Sequence, residues 1–243
     1  MQTDPIIRTR DLTRYYGDTV GVAGLDLDVG AGEVFGFLGP NGAGKTTTIR
    51  LLLDLIRPSK GKASLFGRPT TDASLRARVG YLPGELYLDG RMTGLQTLDF
   101  LSSLALSTSP RPHQRKSVCD RLGLTREDLR RRVREYSRGM KQKPGLVSAF
   151  QHDPELLILD EPTTGLDPLI REAVFDLMAH AKSRGATVFH SSHVLTEVDR
   201  TCDRVAVLRE GRLAALLTVE EARRASTRLM VVGFCCDPPP ILG

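Results

Sequence analysis

Gly39-Pro40-Asn41-Gly42-Ala43-Gly44-Lys45-Thr46-Thr47 has the residue types and spacing of a loop that wraps polyphosphate, G-x-x-x-x-G-K-[ST]. Glycines let a backbone approach phosphate oxygens and turn N–H groups toward them. A helix beginning at the loop adds favourable potential for anions. Lys45 then supplies a point charge for the β- and γ-phosphates, and the Thr46 hydroxyl is placed to ligate Mg²⁺. The competing reading is a glycine-rich turn that matches by accident. However, the apolar run Val34-Phe35-Gly36-Phe37-Leu38 precedes the loop, and Ile49, Leu52, Leu53 and Ile56 follow it at helical spacing. Strand, loop and helix in that order are the context the motif requires.

Leu156-Leu157-Ile158-Leu159-Asp160-Glu161 is an apolar strand ending in two acids. A parallel strand delivers its C-terminal end to the phosphate site, so Asp160 arrives where Mg²⁺ needs a carboxylate, directly or through water. Glu161, one residue on, is placed to orient or deprotonate the water that attacks the γ-phosphate. A solvated acidic turn is the plain alternative. His193 follows a later strand, in Phe189-His190-Ser191-Ser192-His193, where its imidazole can bond the γ-phosphate and hold that water. A lone histidine is more often structural, and His113, His152, His180 and His190 read that way.

Positioning these groups takes an α/β core. Short alternating runs between residues 6 and 29 predict antiparallel strands beside the phosphate-loop strand, with Gly17-Asp18 turning after Tyr15 and Tyr16. Residues 62–66 and 78–82 predict two more strands. From about 85 to 153 the pattern is helical. Leu95, Leu98, Leu101 and Leu104 fall in one helix, Val118, Leu122 and Leu124 in another, and 140–151 forms a third. The arginine-dense stretch 125–135 reads as a solvated helix face or linker. Strands return at 156–159, 186–190, 205–208 and 213–217, with helices at 168–183 and 195–202 and a hairpin turn at Glu210-Gly211. The expected fold is a mostly parallel sheet with helices on both faces, an antiparallel β-subdomain, and a helical subdomain inserted over about 85–153. That domain spans 1–227, and 228–243 is expected to be a short tail, truncated or mobile, opening on a strand-like run at 228–234.

A chain of 243 residues with 40% hydrophobic content suits one such domain. No apolar run approaches the roughly 18 residues of a membrane span, and Met1-Gln2-Thr3-Asp4-Pro5 is no signal peptide. The expected location is the cytosol, or the cytoplasmic face of a membrane reached through a partner. Cys119, Cys202, Cys235 and Cys236 lack metal-ligand spacing and read as reduced thiols. A net charge of +5 permits an anionic neighbour, but aromatic residues for stacking on bases are scarce, so no nucleic-acid partner is expected.

The phosphate loop, Tyr136-Ser137-Arg138-Gly139-Met140-Lys141-Gln142, the strand ending in Asp160-Glu161, Gly165-Leu166-Asp167 and His193 occur in the order and spacing of ATP-binding cassette (ABC) ATPases. Gly80-Tyr81-Leu82-Pro83-Gly84-Glu85, Asp153-Pro154-Glu155 and Ser191-Ser192-His193-Val194-Leu195 resemble the wording of ATPase subunits of bacterial ABC-2-type multidrug and antibiotic exporters, and the likeness covers about residues 6–217. The resemblance implies a P-loop NTPase core, ATP and Mg²⁺ as cofactors, and a head-to-tail dimer, homodimeric or of two different cassettes. Hydrolysis would drive a separate polytopic permease that exports a drug, antibiotic or lipid-like molecule. Gly39, Pro40, Asn41, Gly42, Ala43, Gly44, Lys45, Thr46 and Thr47 would hold the nucleotide phosphates, and Tyr16 would stack on adenine. Thr46 and Asp160 would hold Mg²⁺, with Glu161 and His193 catalytic. Ser137 and Gly139 would contact the γ-phosphate of ATP on the opposite subunit, and Asp167 would cross the dimer interface.

Departures from the family pattern are local. Gly84 stands where members commonly carry a glutamine that senses Mg²⁺ and water, and Glu85 follows it. The signature reads Tyr-Ser-Arg-Gly-Met for Leu-Ser-Gly-Gly-Gln, keeping the serine and second glycine. Pro144 falls a few residues into the signature helix and is expected near enough its start to be tolerated. Relatives usually continue into a small β-rich tail. Gly84 and Pro144 support a second reading, a module that dimerises on ATP but hydrolyses poorly; intact Lys45, Asp160, Glu161 and His193 argue against it. A soluble cassette acting on ribosomes or DNA would need two cassettes or a long coiled-coil insertion. A kinase or GTPase has no use for the signature stretch.

Overall fold

The computed structural model describes residues 4–104 and 112–224. The expectations for the His113 side chain, Cys235, Cys236 and the 228–243 tail lie outside the described residues. Strands β1 (Ile7–Tyr16) and β2 (Thr19–Val29) form a hairpin across Gly17-Asp18. With β4 (Lys60–Leu65) and β5 (Arg68–Pro69) they make an antiparallel sheet of order β2-β1-β4-β5. The short strands expected before residue 30 are therefore two long ones, and they pair in a sheet of their own instead of beside the phosphate-loop strand. Register shifts between Thr9 and Leu12 and again before Tyr15 explain the broken pattern. Asp11, at φ 48°, is a bulge residue that mimics a strand end in the sequence.

The second sheet holds β3 (Val34–Leu38), β6 (Val79–Leu82), β7 (Leu156–Asp160), β8 (Thr187–Ser192), β9 (Arg204–Arg209) and β10 (Arg212–Thr218), in the order β10-β9-β3-β8-β7-β6. All neighbours are parallel except β10, which returns through Glu210-Gly211 with both φ angles positive, 51° and 74°. Successive side chains of β7 enter opposite faces. Leu157 and Leu159 pack with Val174, Leu177 and Met178 of α6 (Pro168–Ser183). Leu156 and Ile158 pack with Ile49 and Leu52 of α1 (Lys45–Leu52) and with Leu25 and Leu27 of β2. An unbroken apolar run is what a strand covered on both faces requires. Phe35 stacks on Phe189 at 5.8 Å, which ties β3 to β8.

Between β6 and β7 run α2 (Gly94–Leu104), α3 (Pro112–Arg121), α4 (Arg126–Arg130) and α5 (Arg138–Phe150). Thr93 with Gln96, and Thr125 with Asp128, make reciprocal N-terminal caps for α2 and α4. Arg126, Arg130, Arg131, Arg132 and Arg134 are exposed, while Val133 and Tyr136 anchor the same stretch from beneath. The Tyr136 hydroxyl donates to the Asp128 carbonyl at 2.6 Å.

Helix α5 begins at Arg138, so Pro144 sits in its second turn and inside the helix. This corrects the expectation that it falls near enough the start to be harmless. Proline there removes the N–H that would reach the Met140 carbonyl, and an interior proline costs about 3 kcal/mol. Pro144 is buried, so truncation also loses apolar contact of about 1 kcal/mol. Pro144→Ala is expected to raise the melting temperature by about 3–6 °C, a net gain of ~1–2 kcal/mol. Thermal melts followed by circular dichroism check this; a fall would show that the neighbours are fitted to the ring.

Candidate functional site

The loop of 39–44 leaves the end of β3 and delivers Lys45 and Thr46 as the first residues of α1. Gly44 adopts φ 102°, and a Cβ there would run into the Gly21 carbonyl oxygen of β2, so only glycine fits where the loop meets the antiparallel sheet. Lys45 is 5% exposed. Its Nζ donates to the carbonyls of Gly39 at 2.7 Å and Pro40 at 3.2 Å, and lies 3.3 Å from Glu161 Oε1.

Parallel pairing of β7 with β8 sets Asp160 opposite Ser191. Both Asp160 oxygens are engaged: Oδ2 accepts from the Thr46 hydroxyl at 2.8 Å and Oδ1 from the Ser191 hydroxyl at 2.6 Å. Ser191 Oγ also accepts the Glu161 N–H at 3.0 Å. Glu161 has φ 49°, a left-handed conformation that costs a side-chain-bearing residue on the order of 1 kcal/mol or more. The turn aims its carboxylate back over the loop. There Oε2 accepts from the Thr164 hydroxyl at 3.1 Å and lies 3.3 Å from His193 Nδ1.

Burial pushes the Glu161 carboxyl up, but the Lys45 ammonium, the Thr164 hydroxyl and His193 together outweigh it and hold it below its ordinary value. Ionised Glu161 therefore favours the folded chain above the unfolded pKa, and this contribution is lost as pH falls through the lower folded value. Glu161→Gln should melt below the native chain by an amount that stays constant from neutral pH down to about pH 5 and shrinks only under more acid conditions. Paired melts across that range check the sign; a gap closing between about pH 7 and 6 would contradict it.

Lys45, Thr46, Asp160, Glu161 and His193 are thus gathered at one point. A cleft of about 300 Å³ leads to it, lined by Tyr16, Thr19, Val20, Gly21, Asn41, Gly42, Gly44, Lys45, Thr46, Thr47 and Glu161. Tyr16 is half exposed, with the Arg14 guanidinium 5.0 Å from its ring centroid. Gly39 and Pro40 enter through their carbonyls, and Ala43 is buried with its N–H on the Pro40 carbonyl. Ser137, Gly139 and Asp167 do not line this cleft. They form a second group: the Ser137 hydroxyl caps α5 by accepting the Met140 N–H, and a Cβ on Gly139 would lie 2.8 Å from the Gly165 carbonyl. Exposed Asp167 caps α6 by accepting the Ile170 N–H. Gly84 stands over Asp160, and a Cβ there would lie 3.0 Å from Oδ2, so a larger residue requires the carboxylate to shift.

Ser191 and Thr164 escaped the sequence reading. Ser191 bonds Asp160 only because β8 lies beside β7, whereas Thr164 reaches Glu161 from three residues on, through the turn that follows β7. His190, one residue earlier, points the other way, fully buried, with Nε2 3.0 Å from Cys202 Sγ and its pKa pushed down to about 4 by burial.

A family model described as ABC transporter matches residues 22–164. The daunorubicin/doxorubicin resistance ATP-binding protein of Streptomyces peucetius is 39% identical, covering 92% of this chain and 69% of that protein. A fluoroquinolones export ATP-binding protein of Mycobacterium tuberculosis is 36% identical over 93% of this chain and 75% of its own length. A solved ATP-binding subunit of an ABC transporter superposes with a TM-score of 0.82 at 31% identity, covering 91% and 93% of the two chains. The chain belongs to the ABC transporter family, as an ATP-hydrolysing, nucleotide-binding subunit of the type found in drug and antibiotic exporters. Among the described residues no helix is long and apolar enough to cross a membrane.

Proposed function

We propose that this subunit powers export of a drug, antibiotic or lipid-like molecule through a separate polytopic permease, which it meets at the cytoplasmic face of the membrane. The relatives that carry resistance and export names support the direction. The observation that carries the catalytic part is the Glu161 carboxylate held between Lys45 and His193 at the head of the phosphate loop. In this reading Glu161 takes or orients the proton of the attacking water, and His193 holds that water against the γ-phosphate. Lys45 exchanges its contacts with the Gly39 and Pro40 carbonyls for phosphate oxygens, and Tyr16 offers its ring to adenine. The Thr46 hydroxyl and Asp160 carboxylate, 2.8 Å apart, are hard oxygen donors that suit Mg²⁺. Among the described residues no group of three or more acids, histidines or cysteines stands ready for a metal, so phosphate and water would complete the ion's shell. Bound Mg²⁺ would neutralise charge developing on the β- and γ-phosphate oxygens.

Exposed Ser137 and Asp167, with half-buried Gly139, would complete the site of a second cassette, a copy of this chain or a different one, in a head-to-tail dimer closed on two ATPs. Closure that assembles each site from two chains couples hydrolysis to motion. Co-purification of the tagged chain from detergent-solubilised host membranes tests the assembly. A polytopic membrane protein in stoichiometric amount is the expected result; recovery of the chain alone, or with ribosomes or DNA, overturns the exporter assignment.

A further inference from the structure

One buried carboxylate near the site belongs to none of the groups above. Glu197 lies in the first turn of α7 (Leu195–Thr201) with its side chain 8% exposed. Its Oε2 accepts two hydroxyls, from Thr163 at 3.0 Å and Ser192 at 2.8 Å. Arg171 of α6 approaches the other oxygen at 3.8 Å. Each hydroxyl belongs to a segment that carries a reacting group. Thr163 lies in the turn between Glu161 and Thr164, whose side chains are bonded to each other. Ser192 immediately precedes His193, and its Oγ also accepts the Val194 N–H at 3.0 Å, which fixes the backbone on both sides of the imidazole. The Ser192 carbonyl accepts the Gly39 N–H at 3.2 Å, so the same residue holds the start of the phosphate loop.

We propose that Glu197 is a positioning residue for hydrolysis: it clamps the turn after Glu161 to the turn at His193 and so sets the distance between the two side chains that hold the attacking water. The inference rests on the catalytic reading of Glu161 and His193. A buried carboxylate is costly unless hydrogen-bonded, and here both hydroxyl donors come from catalytic turns. The tie is distinct from the rung between Ser191 and Asp160, which orders the Mg²⁺ side of the site. Releasing it leaves Lys45, Thr46 and Asp160 bonded as before but frees the turn of 161–164 to move relative to His193. Misplacement by about 1 Å costs on the order of 100-fold in rate, with little effect on ground-state binding.

The test is steady-state ATP hydrolysis by the full chain, beside ATP affinity measured directly and melting temperature. Glu197→Ala is expected to lower kcat by at least about 10-fold with ATP affinity held within about 3-fold. Glu197→Gln keeps an acceptor oxygen for both hydroxyls and should recover most of the rate. Combining Glu197→Ala with His193→Ala should cost little more than His193→Ala alone, because the two act as a unit. An unchanged kcat, or a loss of ATP affinity matching the loss of kcat, overturns the proposal. Should Glu197→Ala fail to fold, Thr163→Val, which cuts only the tie to the Glu161 turn, is read by the same criteria. If Glu161→Gln and His193→Ala both keep native rates, the catalytic reading itself fails; if they lose activity while Glu197→Ala and Thr163→Val keep it, only the clamp fails.

Discussion

Glu161→Gln is expected to abolish turnover, lowering kcat by at least about 100-fold while ATP still binds. The amide matches the carboxylate in shape, so the bond from the Thr164 hydroxyl at 3.1 Å survives and the left-handed turn at φ 49° is unchanged. What disappears is the proton acceptor, together with the charge that pairs with Lys45 at 3.3 Å. Removing that charge leaves Lys45 freer to meet phosphate, so ATP affinity should hold or rise. A cassette that binds ATP but cannot cleave it should accumulate as the closed dimer, visible as doubled mass by light scattering when Mg²⁺ and ATP are present. Single-turnover hydrolysis within a few-fold of the native rate would instead show that another group activates the water.

The Gly84 departure has a steric side that no motif displays. With a Cβ at 3.0 Å from Asp160 Oδ2, the position is narrow, and Asp160 occupies the space in front of it while bonded to Thr46. Restoring the family's glutamine would therefore press on the carboxylate assigned to Mg²⁺. The chain keeps its Thr46–Asp160 pair intact with glycine in that place.

Much of the site was legible because it is written locally. The phosphate loop, the acids after β7 and the histidine after β8 each follow an apolar strand, and parallel strands end on one edge. What stayed hidden depends on which strand lies beside which. Ser191 bonds Asp160 only because β7 and β8 are neighbours, and a serine after a strand carries no signal alone. Glu197 reads as an ordinary acid in a helix's first turn until Thr163 and Ser192 are seen on either side of it. The antiparallel sheet was foreseen, but its first two strands read as several short ones for a related reason: bulges interrupt the period-two pattern that identifies a strand. Pro144 was misplaced because α5 begins at Arg138, behind the Ser137 cap, two residues before the helix of 140–151 that the sequence suggests.

Replacement of Lys45 should have a comparably large effect, acting on binding where Glu161 acts on turnover. Lys45→Ala removes a buried ammonium that touches the Gly39 and Pro40 carbonyls and the Glu161 carboxylate. A charged group's hydrogen bonds contribute about 1.5–3 kcal/mol each, so losing those to phosphate should lower ATP affinity by about 100-fold or more. Lys45→Arg is not expected to rescue it. The Nζ position is enclosed, with the side chain only 5% exposed, and a planar guanidinium does not fit where a compact ammonium meets two converging carbonyls. The substitution also reaches Glu161. With Lys45 gone, the leading influence that opposes burial is removed, and the Glu161 carboxyl should titrate at higher pH than in the native chain. Nucleotide titration calorimetry reads the first effect, and carboxyl-carbon NMR of Glu161 across an acid titration reads the second. Affinity within about 5-fold of native would place the phosphates away from this loop. An unmoved Glu161 titration would mean that its charge is sustained by Thr164 and His193 alone, and the two halves of the site would then be electrostatically independent.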